Sequence, residues 1–422
     1  MEVLCPIFIL LVFLAPFEYC SEALPQDTLK PMEGENICFP YDDSKPSHLL
    51  FTGNSSAGPV PIMHFKVSEI TSFVSEFELR TFDPEGIIFF GDLGGNRNWF
   101  LLALREKLLE IQIQNNVALT TVDGGPIISD GEWRKITVLK EDSSVIVKVA
   151  DKTVVKVQEP GEQVEVNRET DVLRIGIGAV FPNVTIKLTV NPHFDGCLRN
   201  WNWVQRDSSL LTQLLQSSET QRCWQNITPG SYFPGQGAAA LDAQLFFMNF
   251  TTVGTGHWRL VLELYFRPVM DSGILFAVVD SQNNVTFSIN MDQIEQTFVL
   301  TIRGEVFGTR SFPPGLCSGE TQFLHLTLAD NKLEMILGAE KEMRLVSADS
   351  FEALKSVWNQ QGTMVYLGGL PDPYAPPSTS FFHGCLQMKI QGTLVDLDMA
   401  TIKHGEIRSH SCPAALDLGD GK

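Results

Sequence analysis

One feature constrains this chain more than any other: its cysteine-centred landmarks recur at almost a single interval. Cys197 and Cys385 lie 188 residues apart, and Cys223 and Cys412 lie 189 apart. Their contexts agree as well, with Phe194-Asp195-Gly196-Cys197-Leu198 answering Phe382-His383-Gly384-Cys385-Leu386. Further upstream, Asp83-Pro84-Glu85-Gly86-Ile87-Ile88-Phe89 answers Met270-Asp271-Ser272-Gly273-Ile274-Leu275-Phe276 at an offset of 187. Three landmarks at nearly one offset mark a tandem duplication. The period far exceeds the roughly 20–50 residues of solenoid repeats, so each copy is expected to be a domain. The 422-residue length suits two domains of about 180 residues each.

Within each copy the hydrophobic pattern has period 2. Phe77 to Phe82, Leu109 to Ile113, Ile136 to Leu139 and Val145 to Val149 alternate in the first copy. Leu260 to Phe266, Thr286 to Ile289, Phe298 to Ile302 and Leu324 to Leu328 do so in the second. Short alternating runs separated by turn residues, such as Asp123-Gly124-Gly125 and Ser129-Asp130-Gly131, predict antiparallel β-sandwiches. Helical pattern is scarce, with short helices expected only at Leu210 to Gln216 and Ser350 to Trp358. The Pro- and Gly-rich stretch Thr228 to Gly237 reads as a linker resistant to helix and strand alike.

The repeat pairs Cys197 with Cys223 and Cys385 with Cys412, one bridge near the end of each copy. In the loop-entropy account, a loop of about 26 residues gives roughly 3 kcal/mol per bridge. Cys38 and Cys317 have no repeat-mates, and three fates stay open: pairing with each other, linking chains, or staying free.

The apolar run Val3 to Phe17, followed by small residues near Ala23, reads as a secretory signal peptide over residues 1–23. Five Asn-x-Ser/Thr sequons, at Asn54, Asn183, Asn226, Asn249 and Asn284, agree with a secreted, extracellular glycoprotein. The expected organisation continues as an N-terminal extension (24–58), a first domain (59–224), a linker (225–240), a second domain (241–413) and a tail (414–422). A formal charge of −19 argues against nucleic acid or an anionic membrane as partner. No Gly-x-Ser-x-Gly, His-Glu-x-x-His, P-loop or dinucleotide fingerprint is present, so no enzymatic activity is expected.

The run Phe77 to Asp92 resembles the opening of laminin-G domains in the tandem laminin-G family that includes sex hormone-binding globulin. Asn98-Trp99-Phe100, Glu110-Ile111-Gln112, Asp130-Gly131-Glu132-Trp133, Asp195-Gly196-Cys197-Leu198 and Ser409-His410-Ser411-Cys412-Pro413 follow at family-like spacing. The likeness extends from about residue 60 to residue 413. It implies an all-β fold of two tandem laminin-G-like antiparallel sandwiches of jelly-roll type. Two copies with no EGF-like or Glu-rich calcium module ahead of them point toward the steroid-binding members rather than the vitamin K-dependent ones.

A steroid is a rigid apolar plate with a polar group at each end, so its site needs an apolar slot and a few hydrogen-bonding side chains. Burying about 450 Å² of it at about 25 cal/mol/Å² gives roughly 11 kcal/mol before association costs. The resemblance implies that Ser75 anchors the A-ring, Asn115 and Asn98 hold the D-ring end, and Phe100 packs on the steroid face. Asn98 stands where the family carries an aspartate, which keeps the hydrogen bond but drops its charge assistance. The resemblance also implies calcium at Asp83 and Glu85, two hard oxygen donors in one turn. No matching site is expected at Asp271-Ser272. The family's zinc site falls on Asn98 and Asn116, poor zinc ligands, so no zinc is expected.

The sequence therefore predicts a secreted carrier of androgens and estrogens, forming a homodimer, with the ligand and calcium in its first domain. The alternative is a laminin-G adhesion or signalling protein that recognises a glycan, a matrix component or a cell-surface receptor.

Overall fold

The computed structural model describes residues 38–41, 50–51, 62–70, 73–93, 98–114, 118–141, 144–158, 171–181, 189–205, 223–246, 258–358, 360–370, 381–404 and 406–415. The signal-peptide stretch, Asn115, Asn116, the expected helix at Leu210 to Gln216, and the sequons Asn54, Asn183 and Asn249 lie outside these residues.

The first domain contributes β1 (Leu50–Phe51), β2 (Ile62–Lys66), β3 (Val74–Thr81), β4 (Gly86–Asp92), β5 (Trp99–Arg105) and β6 (Leu108–Gln114). It continues with β7 (Leu119–Gly124), β8 (Arg134–Glu141), β9 (Ser144–Val149), β10 (Lys152–Gln158), β11 (Val172–Ile177) and β12 (Gly196–Asn202). These form two antiparallel sheets, ordered β1-β12-β3-β8-β9-β10 and β2-β11-β4-β5-β6-β7.

The second domain begins within the stretch read as a linker, with β13 (Ile227–Pro229), β14 (Ser231–Pro234) and β15 (Ala238–Asp242). The expectation that Thr228 to Gly237 resists strand fails. Its prolines fall at strand ends, where no ladder donor is lost, and Gly230 and Gly235 take the positive φ of the turns between strands. Next come β16 (Arg259–Pro268), β17 (Gly273–Val279), β18 (Val285–Asp292), β19 (Thr297–Ile302), β20 (Glu305–Ser311), β21 (Gln322–Ala329), β22 (Lys332–Leu337) and β23 (Glu340–Leu345). The domain closes with α1 (Ala348–Trp358), β24 (Met364–Leu367), β25 (His383–Ile390), β26 (Thr393–Leu394), β27 (Ile402–His404) and β28 (Ser411–Pro413).

Its large sheets run β14-β25-β16-β21-β22-β23 and β20-β19-β18-β17-β24-β15-β27. The five-strand run β12-β3-β8-β9-β10 thus recurs as β25-β16-β21-β22-β23, and β11-β4-β5-β6-β7 recurs as β24-β17-β18-β19-β20. The duplicated sequence folds twice into one topology.

The repeated Gly-Ile motif marks a central strand in each copy. β4 and β17 are buried at every residue because both of their faces are covered. Ile88 and Phe89 pack into the sandwich core, while Ile87 and Phe90 join Trp99, Leu101 and Phe181 on the outer side. The leading glycines are required by close approach. A Cβ on Gly86 would stand 2.2 Å from the carbonyl oxygen of His193, and one on Gly273 would stand 2.6 Å from the backbone of Phe382. In each copy the strand start and the residues before the Gly-Cys landmark touch main chain to main chain.

Helix α1 covers the expected segment. The Ser347 hydroxyl caps it by accepting from the Ser350 N–H at 3.1 Å. Phe351, Leu354, Val357 and Trp358 form its buried face. Cys197 pairs with Cys223 and Cys385 with Cys412. Of the three fates left open for Cys38 and Cys317, the structure takes the first, a bond between them.

Candidate functional site

Two groups of polar residues stand apart from the ordinary surface. The first lies on the inward faces of the first sandwich. On β3, Ser75 shares its face with Phe77 and Leu79, both in the core. Strand alternation, period 2, turns all three inward. On β5, Phe100 shares the inward face with Leu102 and Leu104, and Asn98 precedes it by two residues. Ser75 and Phe100 therefore belong to opposite sheets and face one interior, and Asn98 sits in the bend that leads into β5.

Aromatic rings connect the two sides. Trp203 stacks on Phe77 at 5.3 Å, Phe77 meets Phe89 edge-on at 6.2 Å, and Phe89 meets Phe100 at 6.1 Å. Across the β4–β5 ladder from Phe100 is Gly91, where a Cβ would lie 2.2 Å from the Phe100 ring, so the missing side chain makes room for the phenyl group. The Ser75 hydroxyl oxygen accepts the Val204 N–H at 3.1 Å, which leaves its own proton to donate. Among the described residues, Asn98 Oδ1 is buried without a hydrogen-bonding partner. A buried acceptor of this kind costs on the order of 1–3 kcal/mol unless a ligand or water supplies a donor.

The second group forms where the first domain meets the C-terminal segment of the second. Asp83 is fully buried at the end of β3. Its Oδ1 accepts the Glu85 N–H at 3.0 Å and its Oδ2 accepts the Asp195 N–H at 2.8 Å. Asp398, from the second domain, receives Ser409 Oγ at 2.5 Å and Lys403 Nζ at 3.3 Å on Oδ1. Between them lies His410, whose Nε2 is 2.9 Å from Asp398, 3.4 Å from Asp83 and 3.4 Å from Asp396.

Burial pushes the Asp83 carboxyl up, opposed by the charge of His410. Burial also works to raise Asp398, but the hydrogen bond and charge of His410, with Lys403 and Ser409, outweigh it and hold that carboxyl below the ordinary aspartate range. Burial works to lower His410, yet the Asp83 charge and the carboxylates of Asp396 and Asp398 hold the imidazole well above the usual histidine value. The three side chains of Asp83, Asp398 and His410 offer ligand atoms within 4.8 Å of one another, a group that could hold a metal ion. Two carboxylates converging on one point attract a cation, and the His410 imidazole lies between them.

Glu85, expected beside Asp83 as a metal ligand, directs Oε1 to the Asn191 N–H at 3.0 Å and is not a member of that three-residue group. Asp398 and His410 were missed by sequence reasoning. They are more than 300 residues from Asp83, and only the phrase Ser409 to Pro413, read as a domain ending, marked the region. Asp195 was seen as part of a landmark, but its role lies across the junction, where its carboxylate accepts from His410 and Ser411.

Comparison with known proteins agrees with this architecture. The laminin G domain pattern matches residues 79–208 and again, in a second form, residues 266–392. Sex hormone-binding globulin of Crocuta crocuta is 30% identical over 373 residues, covering 88% of this chain and 90% of that protein. The chain belongs to the laminin G domain family. It is also 32% identical to vitamin K-dependent protein S of Oryctolagus cuniculus over 404 residues, and 29% identical to growth arrest-specific protein 6 of Mus musculus over 395. It spans 61% and 58% of the lengths of those two laminin G relatives. Among solved structures, domains LG4-5 of the mouse laminin alpha1 chain superimpose with a TM-score of 0.65 at 16% identity, covering 92% of this chain and 100% of that one. That likeness concerns the fold. Among the described residues no helix is long and apolar enough to cross a membrane.

Proposed function

We propose that this chain is a secreted, non-enzymatic carrier that binds androgens and estrogens between the sheets of its first laminin G domain. The observation that carries this reading is the buried Oδ1 of Asn98, without a partner among the described residues, two residues before the inward-facing Phe100, while the Ser75 hydroxyl lies on the facing sheet. An interior acceptor at one side and a donating hydroxyl on the facing sheet suit a rigid apolar ligand with oxygen at both ends. Asn115 is assigned to the same end as Asn98. Relatedness to sex hormone-binding globulin over 90% of that protein's length supports the ligand class.

Calcium is assigned to Asp83, with Asp398 as the carboxylate the fold brings to it and Glu85 from the same turn. Hard oxygen donors suit Ca²⁺. Asn226 and Asn284, exposed at the surface, are proposed as glycan carriers together with Asn54, Asn183 and Asn249. The proposed assembly is a homodimer.

The test is equilibrium binding of tritiated dihydrotestosterone and estradiol to the secreted full-length protein after charcoal stripping. Saturable binding with one site per chain supports the proposal. Absence of binding by both steroids removes it in favour of the second reading, an adhesion or signalling protein that engages a receptor or glycan.

A further inference from the structure

The three disulfides among the described residues differ sharply in access. Cys197 and Cys223 are 5% and 2% exposed, and Cys385 and Cys412 are 8% and 0% exposed. Cys38 is also buried at 5%, but its partner Cys317 is exposed, in the loop between β20 and β21 beside exposed Gly315 and Ser318. This bond also differs in what it holds. Residues 38–41 precede the first domain in sequence yet dock on the second. The Cys38 N–H donates to the Val269 carbonyl at 2.7 Å. Phe39 lies under the Arg267 guanidinium at 4.7 Å. The Tyr41 and Tyr232 hydroxyls are 2.6 Å apart, and Tyr41 bridges Ala415. The segment is a strap, and the bond at its start closes a separation of 279 residues.

We propose that the Cys38–Cys317 bond is a thiol-exchange site, opened by a dithiol reductant that attacks at the exposed residue Cys317, and that its opening frees the strap from the second domain. A thiolate of the reductant attacks Cys317 Sγ, forming a mixed disulfide and expelling Cys38 as a thiolate that takes a proton from water. The reductant's second thiolate then attacks its own sulfur in the mixed disulfide and releases Cys317. Two protein thiols and one oxidised reductant result. Exchange depends on access of the attacking thiolate to a sulfur, and among the three bonds only this one presents an exposed cysteine.

The experiment treats the oxidised full-length protein, undenatured, with dithiothreitol for increasing times, and alkylates the freed thiols for peptide mass spectrometry. Cys38 and Cys317 should be labelled at least tenfold faster than the four cysteines of the two repeat-paired bridges. Labelling of either repeat-paired bridge at an equal or greater rate overturns the proposal. Hydrogen exchange then reads the strap. The peptide carrying residues 38–41 should exchange at least tenfold faster after selective opening, and equally so in the unreduced Cys38→Ser/Cys317→Ser double variant. Unchanged protection of that peptide in the selectively opened wild-type protein defeats the release step, whatever the variant does.

Discussion

Asp195 of the first domain holds Ser411 of the second at both of its donors: Oδ1 accepts the Ser411 hydroxyl at 2.7 Å, and Oδ2 accepts its backbone N–H at 3.1 Å. The same Oδ2 also takes the His410 N–H at 2.7 Å. Asp195 is 4% exposed, so these charge-assisted bonds act where water competes little. Replacing Asp195 with Ala would strand three buried donors. Since a buried unsatisfied group costs about 1–3 kcal/mol, the loss should reach several kcal/mol. Calorimetry should show a lower first melting transition and separation of the two domains into distinct transitions. One unchanged transition would refute the coupling role of Asp195.

The His410 cluster sets a pH window. The imidazole's pKa is raised in the folded protein, so its stabilising contribution is fully present below the unfolded histidine value and is lost as pH rises through the raised value. Asp398 is depressed, so its contribution is present above the unfolded aspartate value and is lost as pH falls through the depressed one. Denaturation in EDTA should therefore show stability declining on the alkaline side. His410→Gln should flatten that decline, and an identical alkaline slope in the variant would show that another group is responsible.

Calcium removal should lower the melting temperature, because a ligand that binds only the native state stabilises it by linkage. Asp83→Asn and Asp398→Asn should each abolish the EDTA effect, whereas Glu85→Gln should weaken it less, since Glu85 faces the Asn191 N–H. A thermal scan unmoved by EDTA in wild-type protein removes the calcium assignment.

Steroid binding should respond at both sides of the slot. Ser75→Ala should weaken binding by about 1–3 kcal/mol through loss of a buried hydrogen bond. Asn98→Asp places a charge-assisted acceptor where Oδ1 now lacks a partner. It should favour steroids with a D-ring hydroxyl over the matching ketones by about 1 kcal/mol, several-fold in affinity. The hydroxyl-to-ketone ratio is the quantity to measure, because the cost of burying the carboxylate largely cancels in it. A ratio equal to that of the parent protein places Asn98 away from the D-ring.

The duplication and the strands were legible because both leave local traces: equal spacing of landmarks, and period 2 from Phe77 to Phe82 or Phe298 to Ile302. The inward direction of Ser75 and Phe100 follows from the same alternation once their strands are known. Two things were not legible. Thr228 to Gly237 carries loop composition, yet pairing with β25 and β28 supplies the hydrogen bonds that local propensity withholds. The Asp83–His410–Asp398 group is assembled by contact between domains, and no local pattern ties residue 83 to residues 398 and 410. The Cys38–Cys317 bond stayed one of three open alternatives, because neither cysteine has a repeat-mate to mark its partner.

The strap has a consequence for biosynthesis. Cys38 emerges from the ribosome 279 residues ahead of the cysteine it must find, and Cys197 and Cys223 are made in the interval. The first domain can close its own bridge co-translationally, but Cys38 must wait as a thiol until the second domain has been made past β20. Every chain therefore passes through a stage in which an early thiol coexists with two newly made ones that are the wrong partners. Burial of Cys197 and Cys223 in the finished first domain keeps both wrong partners away from Cys38.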